Sequence, residues 1–130
     1  MSAVTGISTR HLYDATDSLL RFAMRADATL TGLCGLAIAF IADLSSNLEY
    51  GIGALFVIYA LVVYGLTGLP DLRGAGVGVV SANVVVALGS IVAVEAVPMT
   101  ATGVAATLAT GAYAAAFAWL QYLGVRRLPA

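Results

Sequence analysis
Polar and charged residues break the chain into four long apolar blocks, at about 25–44, 50–69, 76–94 and 100–124, behind an amphipathic lead-in at about 8–24. In the lead-in, apolar Leu12, Ala15, Leu19 and Phe22 recur at three- and four-residue steps with charges between them, the period of a helix with one apolar face. Ser8 or Thr9 is a fair N-cap for it, Asp17 and Arg21 pair at i,i+4, and residues 1–7, which carry no pattern, are expected to be disordered. The lead-in either lies in a membrane interface or runs straight into the first block, and both readings stay open here. From 28 to 42, fifteen residues carry no charge. At about 1.5 Å per residue that falls short of a hydrocarbon core of roughly 30 Å. A first span over 25–44 therefore takes Arg25 and Asp27 to one boundary or just inside it, where ionisable groups are costly enough to need a reason.

The connections are short. The first, 43–49, is acidic and holds Ser45, Ser46 and Asn47; the second is a polar turn at Pro70, Asp71, Arg73 and Gly74. The third block ends at Glu95, and Pro98 with Thr100 as N-cap introduces the fourth. Connections of this length force each helix antiparallel to the one before it. The expected fold is all-α, a single-domain integral membrane bundle of four helices running up-down-up-down over residues 1–130. Charge supplies the orientation. Arg10, Arg21 and Arg25 precede the first block, Arg73 lies in the second connection, and Arg126 and Arg127 follow the fourth block; the first and third connections hold only Asp43, Glu49 and Glu95. Every positive charge thus falls on one side, which the positive-inside rule makes cytoplasmic, with both termini inside and the chain in the cytoplasmic membrane.

Composition agrees with this picture and narrows the chemistry. Hydrophobic residues make up 61% of the 130 positions and charged residues 10%, against about 25% charged in an ordinary soluble domain. Asp14 and Asp17 in a polar beginning argue against a cleavable signal peptide. A single cysteine, Cys34, excludes an internal disulfide and reads as a small packing residue; a single histidine, His11, leaves no ligand set for zinc or haem and no Ser–His–Asp arrangement. Gly74-x-Gly76-x-Gly78 follows no strand, so it is a turn and packing feature and not a phosphate loop. Trp119, Tyr113 and Tyr122 read as interfacial and packing aromatics. No catalytic residue, metal site, cofactor or nucleic-acid partner is expected.

Each block also carries a stripe of small or polar residues. Ala28, Gly32, Gly35, Ala39 and Ala42 follow 4-3-4-3 spacing, as do Gly53, Val57, Ala60, Tyr64 and Thr67 in the second block. Gly76, Val80, Asn83, Ala87, Ser90 and Val94 form the third stripe, and Gly103, Thr107, Thr110, Ala114, Phe117, Gln121 and Gly124 the fourth. Such stripes face neighbouring helices and let backbones approach where lipid leaves little hydrophobic drive, with the larger Leu, Ile and Val residues facing out. Placed by depth, Arg25, Asp27, Thr31, Tyr64, Asn83 and Gln121 collect toward the cytoplasmic half as a candidate binding cluster. The same residues are first read as polar ties between helices, with Arg25 snorkelling to the headgroups.

Arg25-x-Asp27-Ala28-x-x-Thr31-Gly32-x-x-Gly35-Leu36, then Asn83-x-x-x-Ala87-x-x-Ser90, Pro98-x-Thr100-x-x-Gly103 and Leu120-Gln121-Tyr122-x-Gly124-x-Arg126-Arg127, together resemble small four-span membrane proteins common in actinobacteria, loosely similar to DoxX-like proteins. The resemblance covers about 20–127. Val86 stands where such proteins often carry a tryptophan three residues after the asparagine. The resemblance implies four membrane helices and, through the DoxX link, association with quinone-linked redox complexes; it implies no activity of the chain itself.

Two functions remain. The first is a non-enzymatic component that packs with itself, as a homo-oligomer, or with a larger membrane complex. The second is a small transporter, or a bundle that binds a lipid, quinone or other small molecule through the cluster around Asp27; four helices are few for alternating access, so it would need a dimer. The arginine distribution makes one prediction directly. Alkaline phosphatase fused after Ala130 is expected to be inactive and a green fluorescent fusion there bright, with the reverse for insertions at Ser45.

Overall fold
All three prolines, at 70, 98 and 129, fall between or beyond helices, as their missing N–H and fixed φ require. The computed structural model describes residues 2–40 and 47–129, and every regular element in them is helical: α1 (Ser2–Phe40), α2 (Asn47–Leu66), α3 (Arg73–Ala96) and α4 (Ala101–Arg126). No strand occurs among the described residues. The lead-in and the first block are one continuous helix, because nothing from 2 to 40 interrupts it. Residues 2–7 are therefore helical where disorder was expected, and no N-cap falls at Ser8 or Thr9. Of the acidic connection expected at 43–49, residues 47–49 instead open α2; residues 43–46, the end of the first block and Ala42 lie outside the described residues, as does the side chain of Ala39. Arg73 and Gly74, expected in a turn, open α3 instead, with the Arg73 N–H donating to Asp71 Oδ1 at 3.0 Å. At α4 the expected cap is present: Thr100 accepts from the Gly103 N–H at 3.1 Å.

Two of the helices, α3 and α4, are long and apolar enough to cross a membrane; the apolar part of α2, Gly51–Leu66, is shorter. In α1 the uncharged part of the helix, 28–40, is shorter than the roughly 20 residues a span requires.

The helices pack as two pairs. α1 lies along α2 and α3 along α4, and the pairs join mainly through α1 and α4; α2 and α3 share no comparable face although they are consecutive. Small residues make the close approaches. A Cβ on Gly35 would lie 2.7 Å from the Gly53 carbonyl oxygen and 2.8 Å from Phe56 Cβ, and one on Gly32 would lie 3.0 Å from Ala60 Cβ. Leu20 of α1 wedges between Gly76 of α3 and Gly124 of α4, where a Cβ on Gly124 would come within 2.7 Å of the Leu20 Cα. Gly111 of α4 meets Ser90 and the Ala87 carbonyl of α3.

Several of the expected stripe positions are buried and several are not. Ala28, Gly35, Gly53, Ala60, Thr67, Gly76, Asn83, Ser90, Ala114, Gln121 and Gly124 are buried, with Gly32, Ala87 and Thr107 half-buried. Thr110 is exposed and bonds back to its own helix at the Ala106 carbonyl; Gly111, one residue on, takes the contact with α3. Gly103 meets Met99 and Thr100 of its own helix start, so it serves the cap. Tyr64 is exposed and Val63 takes the buried position. In the lead-in, Phe22 is 67% exposed, while Leu20, Ala23 and Met24 are buried. A continuous helix has one buried stripe, and the positions of Asp27 and Gly35 fix its phase.

Glycine replacement separates close approaches from open ones. Gly35→Ala and Gly124→Ala are expected to destabilise by about 1–3 kcal/mol through overpacking, whereas Gly89→Ala, with nothing within 4 Å of the new methyl, should be neutral or gain up to about 1 kcal/mol of helix propensity. Thermal unfolding of the three purified variants reads this.

Candidate functional site
Asp27 is fully buried, and every helix sends it a hydrogen-bond donor. Oδ2 accepts from Asn83 Nδ2 of α3 at 2.9 Å, Gln121 Nε2 of α4 at 2.9 Å and the Tyr59 hydroxyl of α2 at 3.1 Å. Oδ1 accepts from the Tyr113 hydroxyl of α4 at 2.8 Å and from Thr31 Oγ1, one turn along α1, at 3.1 Å. Tyr113 also reaches the Asp27 backbone carbonyl at 3.0 Å and Thr31 Oγ1 at 3.1 Å; with one hydrogen to give, it serves one acceptor at a time. Asn83 spends its second amide hydrogen on Gln121 Oε1 at 2.8 Å. An ionised carboxylate only accepts, and all of these partners are neutral groups able to donate. Asp27 has no ion-pair partner among the described residues.

The site thus joins four of the residues singled out in sequence: Asp27, Thr31, Asn83 and Gln121. Arg25 and Tyr64 are not in it. Residues two apart on a helix point about 200° from one another, so the Arg25 side chain leaves α1 on the other side. There Arg25 Nε donates to Thr67 Oγ1 at 3.1 Å, and its guanidinium lies 5.7 Å from the centre of the Tyr64 ring. Arg21 donates to the Thr67 carbonyl and to Asp17 Oδ2, the latter at 2.7 Å. Thr67 directly follows the end of α2, where the helix dipole favours cations; the two arginines therefore cap α2 from outside. Around them runs an open groove of about 740 Å³, with Asp17, Arg21, Phe22, Arg25, Leu30 and Tyr64 in its walls.

Neither Tyr59 nor Tyr113 belongs to the site residues expected from sequence, in which Tyr113 is an interfacial or packing aromatic. Tyr113 does pack, its ring 4.8 Å from that of Phe117, but its hydroxyl serves Asp27. For Tyr113 the available signal is spacing, since it precedes Gln121 by eight residues on the same broad face of α4, and a buried tyrosine hydroxyl needs a partner. Cys34, expected to pack, is free and exposed. Near the end of α4, Trp119 and Tyr122 stack at 5.8 Å and Arg126 covers the Tyr122 ring.

The centre of the cluster is buried, with Asp27 and Gln121 0% exposed and Asn83 5%, while Thr31, Tyr59 and Tyr113 around them are half-buried; none of these six lines the groove. No group of three His, Cys, Asp or Glu side chains that could hold a metal occurs among the described residues. No protein-family model matches the chain, and no curated protein and no solved structure is detectably similar to it.

Asp27→Asn would set an amide N–H₂ against groups that donate to the carboxylate. The expected loss is about 2–4 kcal/mol, since buried bonds to a charged group are worth about 1.5–3 kcal/mol each and some partners can turn. Tyr113→Phe, which removes one donor, is expected to cost about 0.5–1.5 kcal/mol. Denaturation of the purified variants measures both; an Asp27→Asn protein as stable as the parent would refute the anchoring role.

Proposed function
We propose that the chain is a polytopic protein of the cytoplasmic membrane, an antiparallel four-helix bundle without a catalytic site, which acts as a structural or accessory component packing with itself or with a larger membrane complex. The observation that carries this reading is an inversion of the usual burial pattern. The largest fully buried side chains include Asp27, Thr67 and Gln121, while Leu55, Leu61, Val85, Leu88, Ile91 and Val92 are more than half exposed. Only 17% of the apolar stretch of α3, and likewise of α4, is buried within the chain. A core helix of a soluble protein hides its apolar surface; lipid accepts it.

The antiparallel order is supported by contact pairs whose numbers rise on one helix as they fall on the next. Arg25 meets Thr67 and Gly35 meets Gly53 across α1 and α2; Asn83 meets Gln121 and Ser90 meets Gly111 across α3 and α4. Arg73 also donates to the Pro129 carbonyl at 2.6 Å and Leu20 touches both Gly76 and Gly124. These contacts draw Arg21, Arg25, Arg73 and Arg126 toward one end, the arrangement that positive-inside orientation with cytoplasmic termini requires.

An accessory role follows from what is exposed. On α4, Ala105, Ala109, Ala112 and Ala116 are all exposed at 4-3-4 spacing, a second small-residue face beyond the one used inside the chain and suited to another helix. Association with quinone-linked redox complexes, as the DoxX-like resemblance implies, would be one such assembly. The alternative, transport or binding through Asp27, needs a route to a carboxylate whose contacts are all internal, and is the weaker reading. The test is fractionation followed by native mass measurement. The protein should stay in membranes washed with alkaline carbonate, and after mild detergent extraction should run as a dimer or larger assembly. Release by carbonate would overturn the membrane reading, and a lone monomer the accessory one.

A further inference from the structure
Resting on the membrane reading, we propose that the groove along the outer face of α1, beside the end of α2, is a binding site for an anionic glycerophospholipid of the cytoplasmic leaflet, with its phosphate at Arg25. Three features of the groove point there. Its walls change character along α1. Asp17, Arg21 and Arg25 stand at one part, and Phe22 and Leu30 give apolar surface beside and beyond them. From Arg25 to Leu30 the helix rises about 7–8 Å, which sets Leu30 beyond a phosphate at Arg25, on the side of the glycerol and the first part of an acyl chain.

The charges are unequal in availability. Arg21 is committed to Asp17 and to the Thr67 carbonyl. Arg25 is exposed, has no carboxylate partner among the described residues, and commits only Nε, to Thr67. Its two terminal nitrogens keep the planar fork that matches a phosphate with two parallel hydrogen bonds. The Tyr64 ring centre lies 5.7 Å from the guanidinium carbon, a cation–π contact on the groove wall. The groove carries two arginines and one aspartate, a net single positive charge, which complements a lipid of net charge −1 and disfavours none of its apolar tail. Arg25 is thus turned away from the buried carboxylate two residues on and toward the layer where phosphates lie.

The experiment is native mass spectrometry of the detergent-purified full chain, delipidated and titrated with phosphatidylglycerol or phosphatidylcholine of matched acyl chains. Wild type is expected to retain phosphatidylglycerol at least fivefold better. Arg25→Gln should abolish that preference, and Arg25→Lys should retain part of it. Phe22→Glu, at a side chain that joins no helix contact of the core, should lower phosphatidylglycerol retention without lowering thermal stability, so a loss there is not a folding defect. Equal retention of the two lipids by wild type, or an undiminished preference in both Arg25→Gln and Phe22→Glu, would overturn the proposal. A chain released by carbonate overturns the membrane reading and this site together; one that stays in the membrane and shows no lipid preference overturns this site alone.

Discussion
A carboxylate buried where water does not reach must be surrounded by donors, and Asp27 imposes that condition on all four helices. Its two oxygens accept from Thr31 of α1, Tyr59 of α2, Asn83 of α3, and Tyr113 and Gln121 of α4. Hydrogen bonds are directional and short, so each donor fixes the rotation and the axial register of the helix that carries it. The cost of leaving such a group unmatched makes other arrangements of the same helices unfavourable, which is a stronger constraint on geometry than apolar contact between helices of Leu, Val and Ala could supply.

The small residues make that constraint attainable. Asn83 and Gln121 are not long side chains, and they meet Asp27 because Leu20 sits between Gly76 and Gly124, drawing α1 against α3 and α4. Gly35 against Gly53 brings α2 close enough for the longer tyrosine of position 59. Glycine at the crossings and amides in the core are therefore parts of one design: a near approach of backbones, used to complete a polar network. Where no such network is present, as on the far face of α3 at Val77, Val85, Leu88 and Val92, the large side chains are aliphatic and exposed.

Arg25 and Asp27 show how one helix divides two tasks. About 200° of rotation separates them, so the carboxylate turns in toward neutral donors while the guanidinium turns out to the end of α2 and the groove. The adjacency in sequence suggested a joint site in which the arginine assists the aspartate. On a strand pair or in a loop that reading would be open; on a helix the two residues cannot share a face.

Much of the chain was legible from sequence. Four helices, the Thr100 cap, and Asp27 with Thr31, Asn83 and Gln121 as an interacting set all follow from residue type and period, because helix caps and polar burial are local or strongly penalised. The tertiary structure alone decided the rest. Where alanine, glycine and threonine are frequent, several stripes satisfy the same spacing, so Thr110 and Gly111, or Tyr64 and Val63, cannot be told apart until a neighbouring helix selects one. Tyr59 and Tyr113 join Asp27 only through the relative rotation of helices far apart in sequence, and the pairing of α1 with α4, with α2 and α3 left apart, depends on which close approaches can coexist. Sequence period locates a residue around its own helix; only packing decides what stands opposite.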